Sequence, residues 1–369
     1  MAERHDGLRD WAATVGGKKG GVARLRRADC SGSGFTRRRR GRGFEYLDEN
    51  GERIEEPEVL ERIRELVIPP AWKDVWICPY PMGHIQAVGT DAAGRRQYVY
   101  HSQWRLRRDQ EKFDEMIDFA RKLPHLRRVT AKHLRQSEVT RERVLACATR
   151  LLDRGFFRIG TEEYAEQNET YGLATMLKTH VELGDNHVLT FDYVSKGGKQ
   201  RVQSIVDPDV YTLVDVLKRR RQGKELLAYR QGGRWVDVKS LDINEYVKSV
   251  VGDEFSAKDF RTWNATVLAA VGLAVSGGVA ATPTGRKRAI ARAVKEVSHY
   301  LGNTPAVCRA SYIDPRVFDR YRDGVTIGGA LERIGDDVAF GQPSTQGAIE
   351  EAVLDLLEDS PSEALEKVA

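Results

Sequence analysis

The sequence predicts an α+β protein: a small β-rich N-terminal domain, then a larger, mostly α-helical domain with an inserted β-hairpin. Three observations lead there. Short strand-like segments with strong turn signals cluster before residue 112. Apolar residues recur at helical spacing from about residue 113. One clear hairpin interrupts that helical region between Val188 and Val206. At 369 residues the chain is long for a single core, which suits more than one domain.

The elements follow in order. Residues 1–22 read as a flexible basic arm, with Gly16, Gly17, Gly20 and Gly21 around Lys18 and Lys19 and no apolar period. Residues 23–112 form the β-rich domain. There Phe44–Leu47 enters the turn Asp48-Glu49-Asn50-Gly51, and Ile54 begins the return. Pro57, Val59, Leu60, Ile63, Leu66 and Val67 predict a short helix stopped by Pro69-Pro70. Trp76-Ile77 predicts a strand, and residues 84–88 and 97–100 flank a second turn at 91–94. Strand alternation places Tyr98 and Tyr100 on one face.

Residues 113–348 form the helical domain. Val144, Cys147, Ala148 and Leu151 keep helical spacing up to Gly155. Residues 188–194 and 201–206 make the hairpin, with Lys196-Gly197-Gly198-Lys199 at its tip. Ser256 followed by Asp259 predicts a capping box opening the next helix. Pro283 and Gly285 precede a further helix striped by Ile290, Val294, Val297 and Leu301, which Gly302 ends before Tyr312. On that helix His299 lies opposite Ile290 and reads as solvent-facing. Residues 349–369 read as an acidic C-terminal helix or tail carrying Leu354 and Leu357.

Charge is distributed unevenly. Residues 1–43 hold twelve Lys/Arg against four Asp/Glu, while residues 349–369 hold one Lys against seven acids. A basic arm with the run Arg37–Arg40 points to a polyanionic partner, most simply nucleic acid. The longest apolar run, around Val267–Val275, is too short to span a bilayer. Arg4, His5, Asp6 and Arg9 argue against a secretory leader. Cys30, Cys78, Cys147 and Cys308 are too scattered for a CxxC pair or a zinc-finger spacing, so a reducing cytoplasm is expected. There is no phosphate-binding G-x-x-x-x-G-K-[ST] loop for ATP and no carboxylate cluster for two-metal chemistry.

What remains is a set of cations with one possible nucleophile. Lys258 and Arg261, three apart, share a helix side. Arg158 lies between apolar residues in Phe156-Phe157-Arg158-Ile159-Gly160, Lys196 rides a hairpin tip, and Asn303 and Tyr312 follow the last of the helices. Taken singly, each has an ordinary reading as a packed or solvated side chain.

Together these residues sit in stretches that resemble the type IB DNA topoisomerases, in the small poxvirus-like form found in bacteria. The stretches are FFRIGTEEYAEQNETYGLATMLKTH (156–180), VSKGGKQ (194–200), KDFRTWNAT (258–266) and LGNTPAVCRASYIDP (301–315). Upstream, TRRRRGRGFEYLDENGERI (36–54) and IRELVIPPAW (63–72) resemble that form's N-terminal domain. The resemblance implies that Tyr312 is the nucleophile forming a 3′-phosphotyrosyl bond. It implies that Arg158 and Arg261 bind the non-bridging phosphate oxygens, that Lys196 protonates the leaving 5′-oxygen and that Lys258 assists. Asn303 departs from the histidine of the most familiar members; its amide can donate the same hydrogen bond but carries no charge. Tyr98, Tyr100, Gln86, Arg38, Arg39 and Arg40 are the expected DNA contacts of the small domain. The partner expected is double-stranded DNA, held by a monomer acting as a two-domain clamp in the cytoplasm, at the nucleoid, with no membrane, no cofactor and no required metal. The same residue order also belongs to tyrosine recombinases, though their N-terminal domains are usually helical. A non-enzymatic DNA-binding or chromatin-associated protein would explain the basic arm only.

Overall fold

The computed structural model describes residues 24–276, 282–333 and 346–367; the arm expected over residues 1–22 lies outside the described residues. The chain divides into two compact units after Lys112.

The first unit is built on an antiparallel sheet of five strands: β1 (Phe35–Arg40), β2 (Gly43–Leu47), β3 (Lys73–Ile77), β4 (Ile85–Thr90) and β5 (Arg96–Tyr100), in the order β2-β1-β3-β4-β5. Helix α1 (Pro57–Glu65) opens on Pro57, whose fixed φ suits a first turn. It buries Val59 and Ile63, one turn apart, in a cluster with Phe35, Val75, Ile77 and Ala87. The expected return at Ile54 forms, its N–H on the Tyr46 carbonyl at 2.9 Å across the Asp48–Gly51 turn, but the longer ladder of β2 is with the segment before it. Phe44 and its neighbours pair with the preceding arginines, Arg39 facing Phe44 and Arg38 facing Glu45. Across the Asp48–Gly51 turn the return is short, a bridge between Leu47 and Arg53 flanked by the Asp48–Glu52 and Ile54–Tyr46 backbone bonds. Four identical side chains in a row conceal the period of two by which a strand is recognised.

In the second unit, α2 (Ser102–Leu134), which contains the division, leads to α3 (Arg141–Gly155). Helix α3 is capped by the Thr140 hydroxyl and is buried from Arg143 to Leu152 except at Arg150. After α4 (Glu162–Asn168) come β6 (Val181–Leu183), β7 (Val188–Ser195) and β8 (Lys199–Val206), a three-stranded sheet in sequence order. Then follow α5 (Pro208–Arg219), the hairpin β9 (Ala228–Gln231) and β10 (Arg234–Asp237), and α6 (Ser240–Val251). The β9–β10 hairpin was not among the expected elements, although Gly232-Gly233 between short alternating segments is its signal. The chain continues through α7 (Ala257–Val275), α8 (Pro283–Leu301), α9 (Pro305–Ser311), α10 (Pro315–Arg322), β11 (Val325–Thr326) and α11 (Gly328–Glu332).

The acidic segment is shorter as a helix than expected, and it is not a tail. Helix α12 (Ala348–Glu358) stops where Asp359 turns left-handed, with φ at 58°. Strand β12 (Glu366–Lys367) then pairs with β11. Ile349, Ala352, Val353, Leu356 and Leu357 are buried in the main core of this unit. No helix among the described residues is long and apolar enough to cross a membrane.

Candidate active site

The site forms at the corner between α8 and α9, where the sequence places a stop and a start three residues apart. Gly302 ends α8 in the left-handed conformation, with φ at 63°. Thr304 caps α9 by accepting from Val307 N at 3.3 Å, and Pro305 occupies its first turn. Asn303 is held between them. The backbone conformation favours the glycine, and a Cβ there would crowd the guanidinium of Arg201, 3.1 Å away at Nη1.

The last carbonyls of a helix lack intrahelical partners. Here the capping backbone amides take those of Ser298 and His299. The next three are taken by arginines from three different elements. Arg201, on β8, donates from Nη2 to the Tyr300 carbonyl at 2.6 Å. Arg261, on α7, donates from Nη2 to the Leu301 carbonyl at 2.9 Å. Arg158, in the segment after α3, donates from Nη2 to the Gly302 carbonyl at 3.1 Å. The negative end of the α8 dipole thus lies among three cations.

Each arginine is positioned by its own element. The expected capping box is present: Ser256 N donates to Asp259 Oδ2 at 2.8 Å, which sets the register of α7 and turns Arg261 inward. Arg158 follows Phe157, which is fully buried with its ring 4.8 Å from Phe191 and edge-on to it. Downstream, the close approach of Gly160 to Gly172, where either added Cβ would lie under 3 Å from the opposite backbone, folds the segment back on residues 171–175.

Asn303 Oδ1 accepts from Arg158 Nη2 at 2.6 Å and from Arg261 Nη2 at 2.9 Å. Two guanidinium donors fix the amide orientation: the oxygen faces the arginines and the Nδ2 donor faces away. Arg261 also donates from Nη1 to the Phe156 carbonyl at 2.5 Å, and its guanidinium carbon lies 5.3 Å from the centre of the Tyr312 ring. Tyr312 itself is half-buried at the end of α9, its N–H on the Cys308 carbonyl at 3.0 Å.

The electrostatics are those of a cationic pocket in which Arg158, Arg201 and Arg261 have no carboxylate partner among the described residues. The arginine hydrogen bonds at this corner end on carbonyl, amide and phenol oxygens. Burial, reinforced by Arg158, lowers the Arg261 pKa to about 10 against the opposing pull of the Tyr312 hydroxyl. Burial lowers Arg201 as well, with Tyr193 pulling the other way. Burial raises the Tyr193 phenol despite all three arginines. An anion entering such a site meets desolvated donors already in place.

The comparisons agree in direction. Residues 101–326 match the family described as the eukaryotic DNA topoisomerase I catalytic core. Residues 43–91 match the bacterial DNA topoisomerase IB N-terminal domain. The chain is similar to DNA topoisomerase 1B of Acanthamoeba polyphaga mimivirus, 32% identical over 288 residues, covering 75% of this chain and 84% of the viral one. The chain belongs to the type IB DNA topoisomerases. Of the two readings left open by the residue order, the topoisomerase is therefore the one that stands. DNA topoisomerase 1B of vaccinia virus (strain Copenhagen) is 24% identical over 64% of this chain and 72% of its own. DNA topoisomerase 1 of Schizosaccharomyces pombe is 27% identical over 43% of this chain and only 19% of its own much longer one.

Within this topoisomerase the folded chain brings together Arg158, Arg261, Asn303 and Tyr312. Lys258 is exposed on the first turn of α7, one turn before Arg261, and Lys196 is exposed at the tip of the β7–β8 hairpin. His299 is exposed, as its helical position predicts. Arg201 was missed by sequence reading. Its one signal is that it stands two residues beyond the tip of a hairpin whose tip was singled out.

In the first unit, Tyr98 and Tyr100 share a face, 40% and 38% exposed, their rings stacked 6.0 Å apart. Gln86 corrects the expectation. It is 3% exposed, its Nε2 donates to the carbonyls of Gly83, Pro81 and Tyr80, and its Oε1 accepts from Arg62 at 2.8 Å. It holds the 80–83 turn from inside, because β4 is buried along its middle four residues. In the arginine run, Arg38 and Arg40 both pair with Glu45, and Arg39 is exposed with no ion pair among the described residues. Arg37 donates to the carbonyls of Ile68, Pro69 and Trp72, which makes it a structural member of the run.

Proposed function

We propose that this topoisomerase relaxes supercoiled duplex DNA by cutting one strand through Tyr312. The Tyr312 hydroxyl gives up its proton to solvent as its oxygen attacks the phosphorus; the 3′-phosphotyrosyl bond forms as the bond from phosphorus to the 5′-oxygen breaks, and that oxygen leaves with a proton from Lys196. The free end swivels, and the reverse step reseals the strand. The energy of the broken bond stays in the phosphotyrosine, so the cycle runs without ATP or a required metal ion. A phenoxide leaves more readily than an alkoxide, which keeps the linkage reversible. Arg158, Arg261 and the Asn303 amide stabilise the charge on the non-bridging oxygens, and Lys258 assists the proton transfer. Tyr98, Tyr100 and Arg39 contact the duplex from the small domain, and the enzyme closes on DNA as a monomeric two-domain clamp at the cytoplasmic nucleoid. The single observation that carries this reading is the shared hold of Arg158 and Arg261 on Asn303 beside the Tyr312 ring. The test is relaxation of a supercoiled plasmid in EDTA without nucleotide, followed by mass spectrometry of the trapped covalent adduct. An adduct on any residue but Tyr312, or a strict need for ATP, would sink it.

Lys196→Ala is expected to slow cleavage by about 10²–10⁴-fold while binding DNA nearly as well as the parent. A 5′-bridging phosphorothiolate, whose thiolate departs without a proton donor, is expected to restore cleavage. Equal slowing on both substrates would reassign Lys196 to binding or positioning.

Asn303→Ala removes the acceptor shared by the two arginines and the donor on its far side. Single-turnover cleavage is expected to fall by about 10²-fold or somewhat less, since losing one such donor costs about 10²–10³ and two arginines remain. Asn303→His is expected to stay active and to acquire a pH dependence between about pH 5 and 8 that the asparagine enzyme lacks. Parental rates in the alanine variant would leave Asn303 as a helix-end residue only.

A further inference from the structure

We propose that Arg201 is a positioning residue for Lys196, a role that rests on the general-acid reading given above. Lys196 sits on a tip whose backbone is intrinsically loose: Gly197 and Gly198 are both left-handed, with φ at 83° and 71°. A lysine there can deliver a proton only if the strands behind it are fixed against the rest of the site. Strand β7 is held by Tyr171 N on the Val194 carbonyl at 2.8 Å. Strand β8 is held by Arg201. It stands directly opposite Tyr193, whose hydroxyl it contacts, and donates from Nε to Gln203 Oε1 at 2.7 Å. Its remaining reach goes to the Tyr300 carbonyl at 2.6 Å, next to the Leu301 and Gly302 carbonyls that receive Arg261 and Arg158.

One guanidinium therefore joins the hairpin that carries Lys196 to the corner that carries Asn303. Arg201 is half-buried, and its hydrogen bonds end on neutral oxygens with no carboxylate partner among the described residues, which is an expensive way to staple a strand. It becomes intelligible where the staple sets the distance between a proton donor and a phosphate. Misplacement of a reacting group by about 1 Å can cost 10²-fold in rate.

The test is single-turnover cleavage by Arg201→Ala, Arg201→Lys and Lys196→Ala on two substrates, an ordinary phosphodiester and a 5′-bridging phosphorothiolate. Arg201→Ala is expected to cleave the ordinary substrate about 10²-fold more slowly and the phosphorothiolate at nearly the parental rate, with duplex affinity little changed. Arg201→Ala combined with Lys196→Ala is expected to be no slower than Lys196→Ala alone, since both changes remove the same step. Should the alanine variant fail to fold, Arg201→Lys keeps the charge but cannot fork, and the same substrate preference is expected of it. Equal slowing on both substrates, while Lys196→Ala is rescued, overturns the proposal and places Arg201 on the phosphate or in the fold. Parental cleavage of the ordinary substrate by Arg201→Lys also overturns it. If Lys196→Ala is not rescued either, the general-acid reading has failed and the proposal falls with it.

Discussion

Tyr312→Phe is expected to bind duplex DNA as the parent does and to relax none of it. The ring, and the Arg261 guanidinium 5.3 Å from its centre, remain in place when only the hydroxyl is removed. The backbone of Tyr312 keeps its bond to Cys308, and Asn303 still bridges Arg158 and Arg261. The pocket is thus kept while its nucleophile is lost, and no covalent adduct should form at any enzyme concentration. Plasmid relaxation and adduct trapping check this directly. Relaxation by the phenylalanine variant at even a hundredth of the parental rate would point to another nucleophile.

The second large effect falls on the C-terminal segment. Arg127 forks between two carboxylates, with Nη1 on Glu350 Oε2 at 2.5 Å and Nε on Asp153 Oδ2 at 2.9 Å. Glu350 Oε1 also accepts from the indole of the fully buried Trp263 at 2.8 Å. Burial alone would lower the Arg127 pKa, but the two carboxylates reverse that and hold it above its ordinary value. Glu350→Ala removes one of the two charges facing Arg127 and leaves a buried indole N–H without its acceptor. Breaking a buried pair costs about 3–5 kcal/mol, and with Asp153 retained the lower end is expected. Urea unfolding monitored by tryptophan fluorescence measures the loss. Glu350→Gln, which keeps an acceptor for Trp263, is expected to lose less. An alanine variant that unfolds at the parental midpoint would show that α12 is held by its apolar face alone.

Both predictions concern residues whose partners lie far away in sequence, and this separates what could be read from what could not. Local signals were reliable in this chain. The Ser256–Asp259 capping box, the Gly302 stop, the Pro57 start and the glycine tip between Val188 and Val206 each rest on chemistry within a few residues. The site motifs around Arg158, Lys196, Arg261 and Tyr312 were legible for the same reason, since each is a short stretch with a distinctive order.

Tertiary structure decided the rest. A glutamine on a strand looks exposed until the 80–83 turn and Arg62 of α1 close over it, and so Gln86 turned out to lock a turn from inside. The Arg37–Arg40 run reads as solvated charge until it pairs with Gly43–Tyr46 and Glu45 neutralises part of it. Glu350 reads as one more acid in a charged tail until Arg127, 223 residues away, meets it. Arg201 has no motif at all. Its meaning comes from three consecutive carbonyls at one helix end, claimed by three arginines that no spacing in the chain relates. The sequence by itself determined the chemistry available and the helices and turns that carry it. Only folding decided which cations share an oxygen, because a hydrogen bond between distant residues leaves no periodicity along the chain.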